Sequence, residues 1–302
     1  MNGVGNGGTN GQFDAGGGGN ALVVVQDGAF NAVDNGSCTN PAFCFGGTND
    51  PGQANAAGLN GAAIVQLGVL NGAKNRQIAV LGTNLNLTVQ AGLGNYSNNK
   101  QQAQLGNNTS VVGQLGFLNN ASNDQTAGVP LASNGGGKTN TSVQLQAGIG
   151  NGSSVTQNVT SPNGTQGNNN STTVQVGALN TSIASQKGGN DQLTGQLGAG
   201  NIAVTDQTHT GSTPNDSTTL QAGLGNVSAT TQNGGKSDAT TVQAGVANVS
   251  VTAQSDNNNT SQTFQGGAGN VAVVTQTGNG NNWSAVGQVG AGNTFVSTQN
   301  SF

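Results

Sequence analysis

The chain has 302 residues, of which 5% are charged, 3% are aromatic and 53 are glycine, and its formal net charge is −4. All ten acidic residues are Asp and strong helix formers are scarce, so the composition predicts an all-β protein with almost no α-helix. Disorder usually accompanies high net charge, whereas low charge with abundant Gln, Asn, Thr and Val favours stacked β-structure. The basic residues are scattered, and no apolar run approaches the roughly 20 residues of a membrane span. We therefore expect no nucleic-acid partner and a chain that is not membrane-spanning.

The N-terminal part of the chain divides into two segments. Residues 1–19 are rich in Gly and Asn and are predicted to be flexible. Residues 20–59 form a degenerate first repeat with a cysteine-containing insertion. Asn20 and Gln26 have the spacing of the later repeats, but Ser37 stands where those repeats have a second Gln.

The insertion contains both cysteines of the chain, Cys38 and Cys44. They are close enough in sequence to form a disulfide in an oxidising compartment. Two free thiols are the alternative. Two Cys and one distant His are too few for a four-ligand metal site, so we expect no metal.

Ten complete repeats occupy residues 60–302, each with the pattern Asn-x5-Gln-x-Gly-x-x-Asn-x5-Gln. The first Gln, position 0, is Gln66, Gln90, Gln114, Gln146, Gln175, Gln196, Gln221, Gln243, Gln265 and Gln288. Asn at position +5 is Asn71, Asn95, Asn119, Asn151, Asn180, Asn201, Asn226, Asn248, Asn270 and Asn293. The second Gln, position +11, is Gln77, Gln101, Gln125, Gln157, Gln186, Gln207, Gln232, Gln254, Gln276 and Gln299. Gly occupies position +2 in all ten repeats, and position −6 is Asn in nine repeats and Ser237 in the other.

Each repeat is predicted to form two strands joined by a tight turn. Seven residues of alternating character fit a strand, and the glycines of the joining segment supply the positive φ that the turn requires. The two strands could pair with each other as a β-hairpin. A β-arch, in which each strand pairs with its counterpart in the next repeat, better explains why identical residues recur, because it stacks Gln on Gln and Asn on Asn. The sequence therefore predicts a two-sheet, cross-β solenoid of about ten to eleven stacked arches, a rod roughly 50 Å long.

The two faces of each strand differ in chemistry. One face carries Asn, Ser or Ala, mostly Thr, and Gln, and the other carries more Val and Leu. Burial of apolar surface alone would turn the Val and Leu face inward. The amide face is far more regular, as stacked side chains in an interior require, and we expect it to lie inside with its amides satisfied along the stack.

The repeat resembles the curlin repeat of the curli fibre subunits of bacterial biofilms, Ser-x5-Gln-x-Gly-x-x-Asn-x5-Gln. The match covers residues 60–302 closely and 20–37 in part, with Asn in place of Ser at position −6. The resemblance implies a secreted subunit of an extracellular amyloid fibre on the bacterial cell surface, with roles in biofilm matrix and adhesion. It also implies export through an outer-membrane secretion pore, addressed by the segment before the first repeat, and nucleation by a minor subunit.

Self-assembly also follows from the pattern, because the last repeat is as regular as the others and its open strand edges could pair with another copy. We expect head-to-tail stacking into a homopolymer. Several charged residues, among them Asp124, Asp206, Asp216 and Asp238, are predicted to lie in turns. They would either keep the chain soluble or slow its assembly.

A second functional hypothesis is a monomeric solenoid that binds ice or another surface. It rests on an exposed array of Thr at position −2, namely Thr88, Thr173, Thr194, Thr219, Thr241 and Thr263. The pattern does not favour an enzyme, since His209 is the only histidine and lies in a linker without a fixed Asp or Ser partner. We expect no catalytic residue and no cofactor.

Overall fold

Two parallel β-sheets face each other and form the whole described fold. A computed structural model of the chain describes residues 3–10, 12–14, 19–35, 53–55, 58–128, 138–159, 167–209, 213–278 and 281–301. These residues form strands and their connections with no helix, which confirms the predicted all-β, two-sheet solenoid.

The strands are numbered in chain order and are assigned here to sheet I and sheet II. Sheet I contains β3 (Gly19–Ala29), β6 (Leu59–Val69), β8 (Thr83–Leu93), β10 (Asn107–Phe117), β12 (Thr139–Ile149), β14 (Asn169–Ala178), β16 (Asn190–Ala199), β18 (Asn215–Leu224), β20 (Asp238–Val246), β22 (Thr260–Ala268) and β24 (Trp283–Ala291). Sheet II contains β1 (Gly7–Asn10), β2 (Gln12–Asp14), β4 (Ala32–Asn35), β5 (Gln53–Asn55), β7 (Gly72–Ala79), β9 (Tyr96–Ala103), β11 (Asn120–Ala127), β13 (Gly152–Val159), β15 (Thr181–Lys187), β17 (Ile202–Thr208), β19 (Val227–Asn233), β21 (Val249–Ser255), β23 (Val271–Thr277) and β25 (Thr294–Asn300).

The two strands of a repeat lie in different sheets and do not pair with each other. For example, β8 pairs in parallel with β6 and β10, whereas the next strand, β9, pairs with β7 and β11. The register aligns identical positions, so that Gln90 lies between Gln66 and Gln114. Each repeat is therefore a β-arch, and one arch is called a rung below.

Tight arcs join the two strands of every rung, and glycine at position +2 makes them possible. Gly148 has φ +123°, and a Cβ on it would lie only 1.8 Å from the carbonyl oxygen of Gly177 in the next rung. Position +4 also has positive φ, but there the chain uses either Gly, as at Gly150, or a larger residue, as at Leu179. Stacking thus forbids a side chain at +2, whereas +4 requires only the left-handed backbone conformation.

The first rung is more complete than the sequence predicted. Its sheet II strand is split into β4 and β5, and Gln53 of β5 pairs in register with Gln77. Gln53 thus occupies position +11 in register, although in sequence that position falls at Ser37. Ser37 and both cysteines lie in the stretch 36–52, outside the described residues.

A half-rung precedes this first rung. Strand β1 pairs with β4, and β2 pairs with β5 through Gln12↔Gln53. Asn6 and Gln12 have the Asn-x5-Gln spacing, and Gly3 has the positive φ of position +2, +105°. These strands differ from the flexible segment that the composition of residues 1–19 predicts, because their backbone bonds and spacing match those of a true repeat.

We predict that Gly148→Ala destabilises the rod, because the new Cβ meets a backbone oxygen and the backbone conformation is strained for any L side chain. Backbone strain of this kind costs about 1–3 kcal/mol before the clash is counted. The matched control is Gly152→Ala in the same rung, where a Cβ has no heavy atom within 4 Å. Urea midpoints of the soluble proteins provide the measurement, and equal midpoints for the two variants would contradict this account of the arc.

Candidate functional site

The interior between the sheets is built mainly from polar side chains. Gln at positions 0 and +11, Asn at −6 and +5, and Ser or Thr between them are buried in nearly all rungs. The side chain of Gln90, for example, is fully buried, whereas Leu115 and Leu197 on the outer face of sheet I are 62% and 59% exposed. The amide face thus lies inside, as expected, and its buried amides are satisfied by one another along the stack and by backbone carbonyls across it.

Two continuous glutamine ladders run along the rod. At position 0, starting with Gln26, the Nε2 of each Gln donates to the Oε1 of the Gln in the next rung, in ten bonds of 2.7–2.8 Å. At position +11 nine bonds of 2.7–3.0 Å run in the same direction. Every bond points toward the C-terminal end, so both ladders have a single direction along the rod.

The position 0 glutamines also tie the two sheets together. Gln175 Nε2 donates 2.9 Å to the carbonyl oxygen of Gly152, which is position +6 of the preceding rung in sheet II. The same bond recurs along the rod, for example from Gln90 to Gly72. Each such amide group therefore uses both N–H donors, one along the stack and one across it.

The asparagines at +5 fix the arcs by bonding to both neighbouring rungs. The backbone N–H of Asn95 donates to Asn71 Oδ1 in the preceding rung at 3.1 Å, and Asn95 Nδ2 donates to the carbonyl oxygen of Gly116 in the following rung at 3.0 Å. This arrangement repeats through Asn293, whose backbone N–H donates to Asn270 Oδ1 at 3.1 Å. Asn at this position therefore satisfies one backbone N–H and one carbonyl oxygen of the neighbouring arcs.

The ends of the rod leave parts of these ladders unused within the described chain. At the N-terminal end Gln26 Oε1 is buried without a hydrogen-bond partner among the described residues. At the C-terminal end Gln288 Nε2 donates only to the Val271 carbonyl oxygen, and Gln299 Nε2 only to that of Trp283. In the glutamine ladders, the C-terminal end thus presents amide donors and the N-terminal end presents an amide acceptor.

The outer face of sheet I carries a column of three aspartates. Asp191, Asp216 and Asp238 are directly opposite one another on adjacent parallel strands, which lie roughly 4.8 Å apart. Burial raises the pKa of the Asp216 carboxyl, and the neighbouring Asp191 and Asp238 carboxylates raise it further. Burial also raises the pKa of Asp238, against the opposing effect of Lys236.

Several sequence-based expectations change with these positions. Asp124, Asp206, Asp216 and Asp238 lie within strands, not in turns. The Thr side chains at position −2 are buried to 2% exposure or less, so they cannot contact an external surface. His209 is buried, and its Nδ1 contacts the carbonyl oxygen of Gly234.

Two comparisons with known proteins gave no match. No protein-family model matches the chain, and no curated protein matches it significantly. Among the described residues, no helix has the length and apolar character that crossing a membrane would require. The candidate functional site is therefore defined by geometry alone, as the amide ladders and the two rod ends at which they stop.

We predict that Gln175→Leu strongly destabilises the rod. The substitution leaves Gln146 Nε2 without its ladder acceptor and Gln196 Oε1 without its donor, and each buried orphan costs about 1–3 kcal/mol. Gln262→Leu, at an exposed position of sheet I, is the matched control and should change stability by no more than about 0.5 kcal/mol. Denaturant unfolding checks this, and a Gln175→Leu rod as stable as the control would show that the ladder is dispensable.

We also predict that the aspartate column makes the rod more stable in acid. The pKa values of Asp216 and Asp238 are raised in the folded state. At pH values between the unfolded and the folded pKa of each group, the folded state therefore binds more protons than the unfolded chain. Their stabilising contribution is complete below the unfolded pKa and is lost as the pH rises through the folded pKa. Melting temperatures from about pH 3 to pH 7 should fall more for the natural chain than for Asp216→Asn. The matched control is Thr218→Asn, at an outward position of the same strand, which removes no carboxyl and should retain the natural slope.

Proposed function

We propose that this protein is a non-enzymatic structural subunit that polymerises head to tail into a curli-like, cross-β fibre. The fibre would lie outside a bacterial cell and contribute to biofilm matrix and adhesion. Its principal partner would be a further copy of itself. An outer-membrane secretion pore and a nucleating subunit belong to the same proposal, and they rest only on the resemblance of the repeat to the curlin repeat.

The observation that carries the proposal is the complementarity of the rod ends. Inside the rod, Gln265 Nε2 donates to Gln288 Oε1 at 2.8 Å. Gln288 Nε2 could donate in the same way to Gln26 Oε1 of another copy, which is buried without a described partner. Head-to-head contact would instead oppose acceptor to acceptor, and tail-to-tail contact donor to donor. The polarity of the ladders therefore favours one mode of stacking.

Open strand edges support the same mode of assembly. In the described chain β24 and β25 end the two sheets on one side, and their outward backbone groups have no strand beside them. Exposed edges of this kind pair readily with strands of another chain. The alternative function, a monomeric surface binder, has less support because the Thr side chains on which it rests are buried.

Assembly should be visible directly in purified protein. We expect fibres that sediment, bind thioflavin and diffract at about 4.7–4.8 Å along the fibre axis. A buried charge at the docking end should block their growth, so Gln299→Lys, which faces the interior in the last rung, should slow seeded elongation at least about tenfold.

The matched control is Thr298→Lys, which places the same charge on the exposed face of the same strand and should elongate at nearly the natural rate. Equal elongation of both variants would argue against stacking through this rung. A natural chain that remains a stable monomer for days would contradict the fibre proposal as a whole.

A further inference from the structure

The two sheets contain different numbers of strand layers in the described chain. Sheet I has eleven strands, from β3 to β24. Sheet II has twelve layers, because β1 with β2 forms one layer and β4 with β5 forms the next, followed by ten single strands. The additional layer is the half-rung at the N-terminal end, called the cap below and defined as residues 3–10 and 12–14.

This mismatch conflicts with simple stacking of intact copies. If β25 of one copy paired with β1 of the next, β24 and the following β3 would be separated by two strand spacings, roughly 9.6 Å. One strand would then be missing from sheet I at every junction. The gap would lie directly over Gln26, whose Oε1 is the buried acceptor of the position 0 ladder.

The cap makes the same hydrogen bonds that a preceding rung would make. The N–H of Phe30 donates to the Val4 carbonyl oxygen at 2.9 Å, and the N–H of Asn31 donates to Asn6 Oδ1 at 3.0 Å. Gln26 Nε2 donates to the Gly7 carbonyl oxygen at 3.2 Å.

At the C-terminal end, the last rung has a residue at each of these three positions, one in β24, one in the arc and one in β25. By position in the repeat, Ala291 corresponds to Val4, Asn293 to Asn6 and Thr294 to Gly7. The bonds that the cap makes recur at these positions inside the rod. The N–H of Gly292 donates to the Ala268 carbonyl oxygen, as that of Phe30 does to Val4, and the N–H of Asn293 donates to Asn270 Oδ1, as that of Asn31 does to Asn6. The cap and the last rung of another copy therefore compete for the same groups.

We propose that the cap is a displaceable strand that blocks the N-terminal end of the rod, and that the last rung of a second copy replaces it at each junction. This inference rests on the proposed head-to-tail assembly and identifies the surface it uses. The docking surface is the edge of β3 together with the edge of β4 and β5 that β1 and β2 cover. The occupant is β24 and β25 of another copy.

The exchange is favourable because the incoming rung supplies more than the cap does. It repeats all the cap's bonds in sheet II and adds a full ladder in sheet I, where the cap has no strand. Inside the rod the corresponding pair, β22 with β24, is in register over nine positions from Thr260↔Trp283 to Ala268↔Ala291. It also places Gln288 Nε2 over Gln26 Oε1 and so satisfies the buried acceptor.

Apolar side chains at the two ends match as well. The first rungs contain a buried cluster of Val33, Ile64 and Ala73, with Leu22 and Val24 packed against it. The last rung has Val286 and Phe295 at interior positions, and Phe295 is still 38% exposed. The cap has only Gly8 at the position that corresponds to Phe295. Replacement of the cap would therefore bury apolar surface that is open in the single rod.

A reversible covalent lock tests this proposal. Gly7 and Ala32 are directly opposite each other in β1 and β4 and both are exposed. The Cα atoms of such neighbours lie about 4.8 Å apart, within the range of a disulfide. In a background with Cys38→Ser and Cys44→Ser, the variant Gly7→Cys/Ala32→Cys should elongate seeds at least about tenfold more slowly when oxidised than after reduction.

The matched control joins two interior rungs at the same repeat position. Gly152→Cys/Thr181→Cys, in the same background, links β13 to β15 and leaves both ends unchanged. Its elongation rate should not depend on reduction. If the oxidised cap variant elongates as fast as its reduced form, the cap stays in place at the junction and the proposal is overturned. If neither control nor natural chain forms fibres, the proposed function fails instead.

Hydrogen exchange gives a second measurement that needs no substitution. The amide of Gly7 donates to the Asn31 carbonyl oxygen at 3.0 Å in the single rod. We expect the amides of β1 to lose protection when monomers become fibres, while those of β4 remain protected. Protection of β1 that persists in the fibre would overturn the displacement of the cap.

Discussion

The rest of the structure depends on the hydrogen bonding of a buried primary amide. A Gln side chain in a dry interior has two N–H donors and an oxygen that all need partners, and leaving one without a partner costs more than an average bond contributes. The ladder solves this with an identical neighbour at strand spacing and a carbonyl across the interior, as for Gln175. That solution fixes the parallel register of every strand, since a shift by one residue would turn all amides outward.

The glycine arcs and the variable linkers follow from the same constraint. Where successive rungs must lie directly on each other, as at Gly148 over Gly177, no side chain fits. Where they need not, the chain tolerates differences in length. The stretch 36–52 interrupts the sheet II strand of the first rung, and Gln53 nevertheless returns to the register of Gln77. The backbone register is thus kept even when many residues are inserted within one strand of a rung.

The polar interior also explains why the outer face is unusually apolar. Ladder positions require Gln, Asn and small residues, so the Val and Leu side chains that favour strands are placed outside, as at Leu115 and Leu197.

The common direction of the glutamine hydrogen bonds has a consequence at the ends of the rod. Because every bond between stacked Gln side chains points the same way, the two ends differ chemically. The glutamine ladder at position 0 therefore needs an acceptor at its C-terminal end and a donor at its N-terminal end. Asn6 and Gly7 of the cap accept hydrogen bonds from the first rung, but they leave Gln26 Oε1 without a described donor, and sheet I beside them ends at β3.

The spacing of Gln, Gly and Asn in the sequence was enough to determine the architecture of each rung. Fixed intervals between Gln, Gly and Asn predict the strands, the arcs and the stacking of like on like, because each interval corresponds to one local backbone conformation. The sequence did not reveal that Gln53 belongs to the first rung or that Asn6 and Gln12 form a half-rung, since an insertion and a Gly-rich composition obscure the interval. The location of Asp216 in a column of stacked carboxylates likewise depends on which strand lies beside it. Local pattern specifies a rung, whereas pairing between rungs is a long-range property, and only the tertiary structure decides which donors, acceptors and edges remain open at the ends.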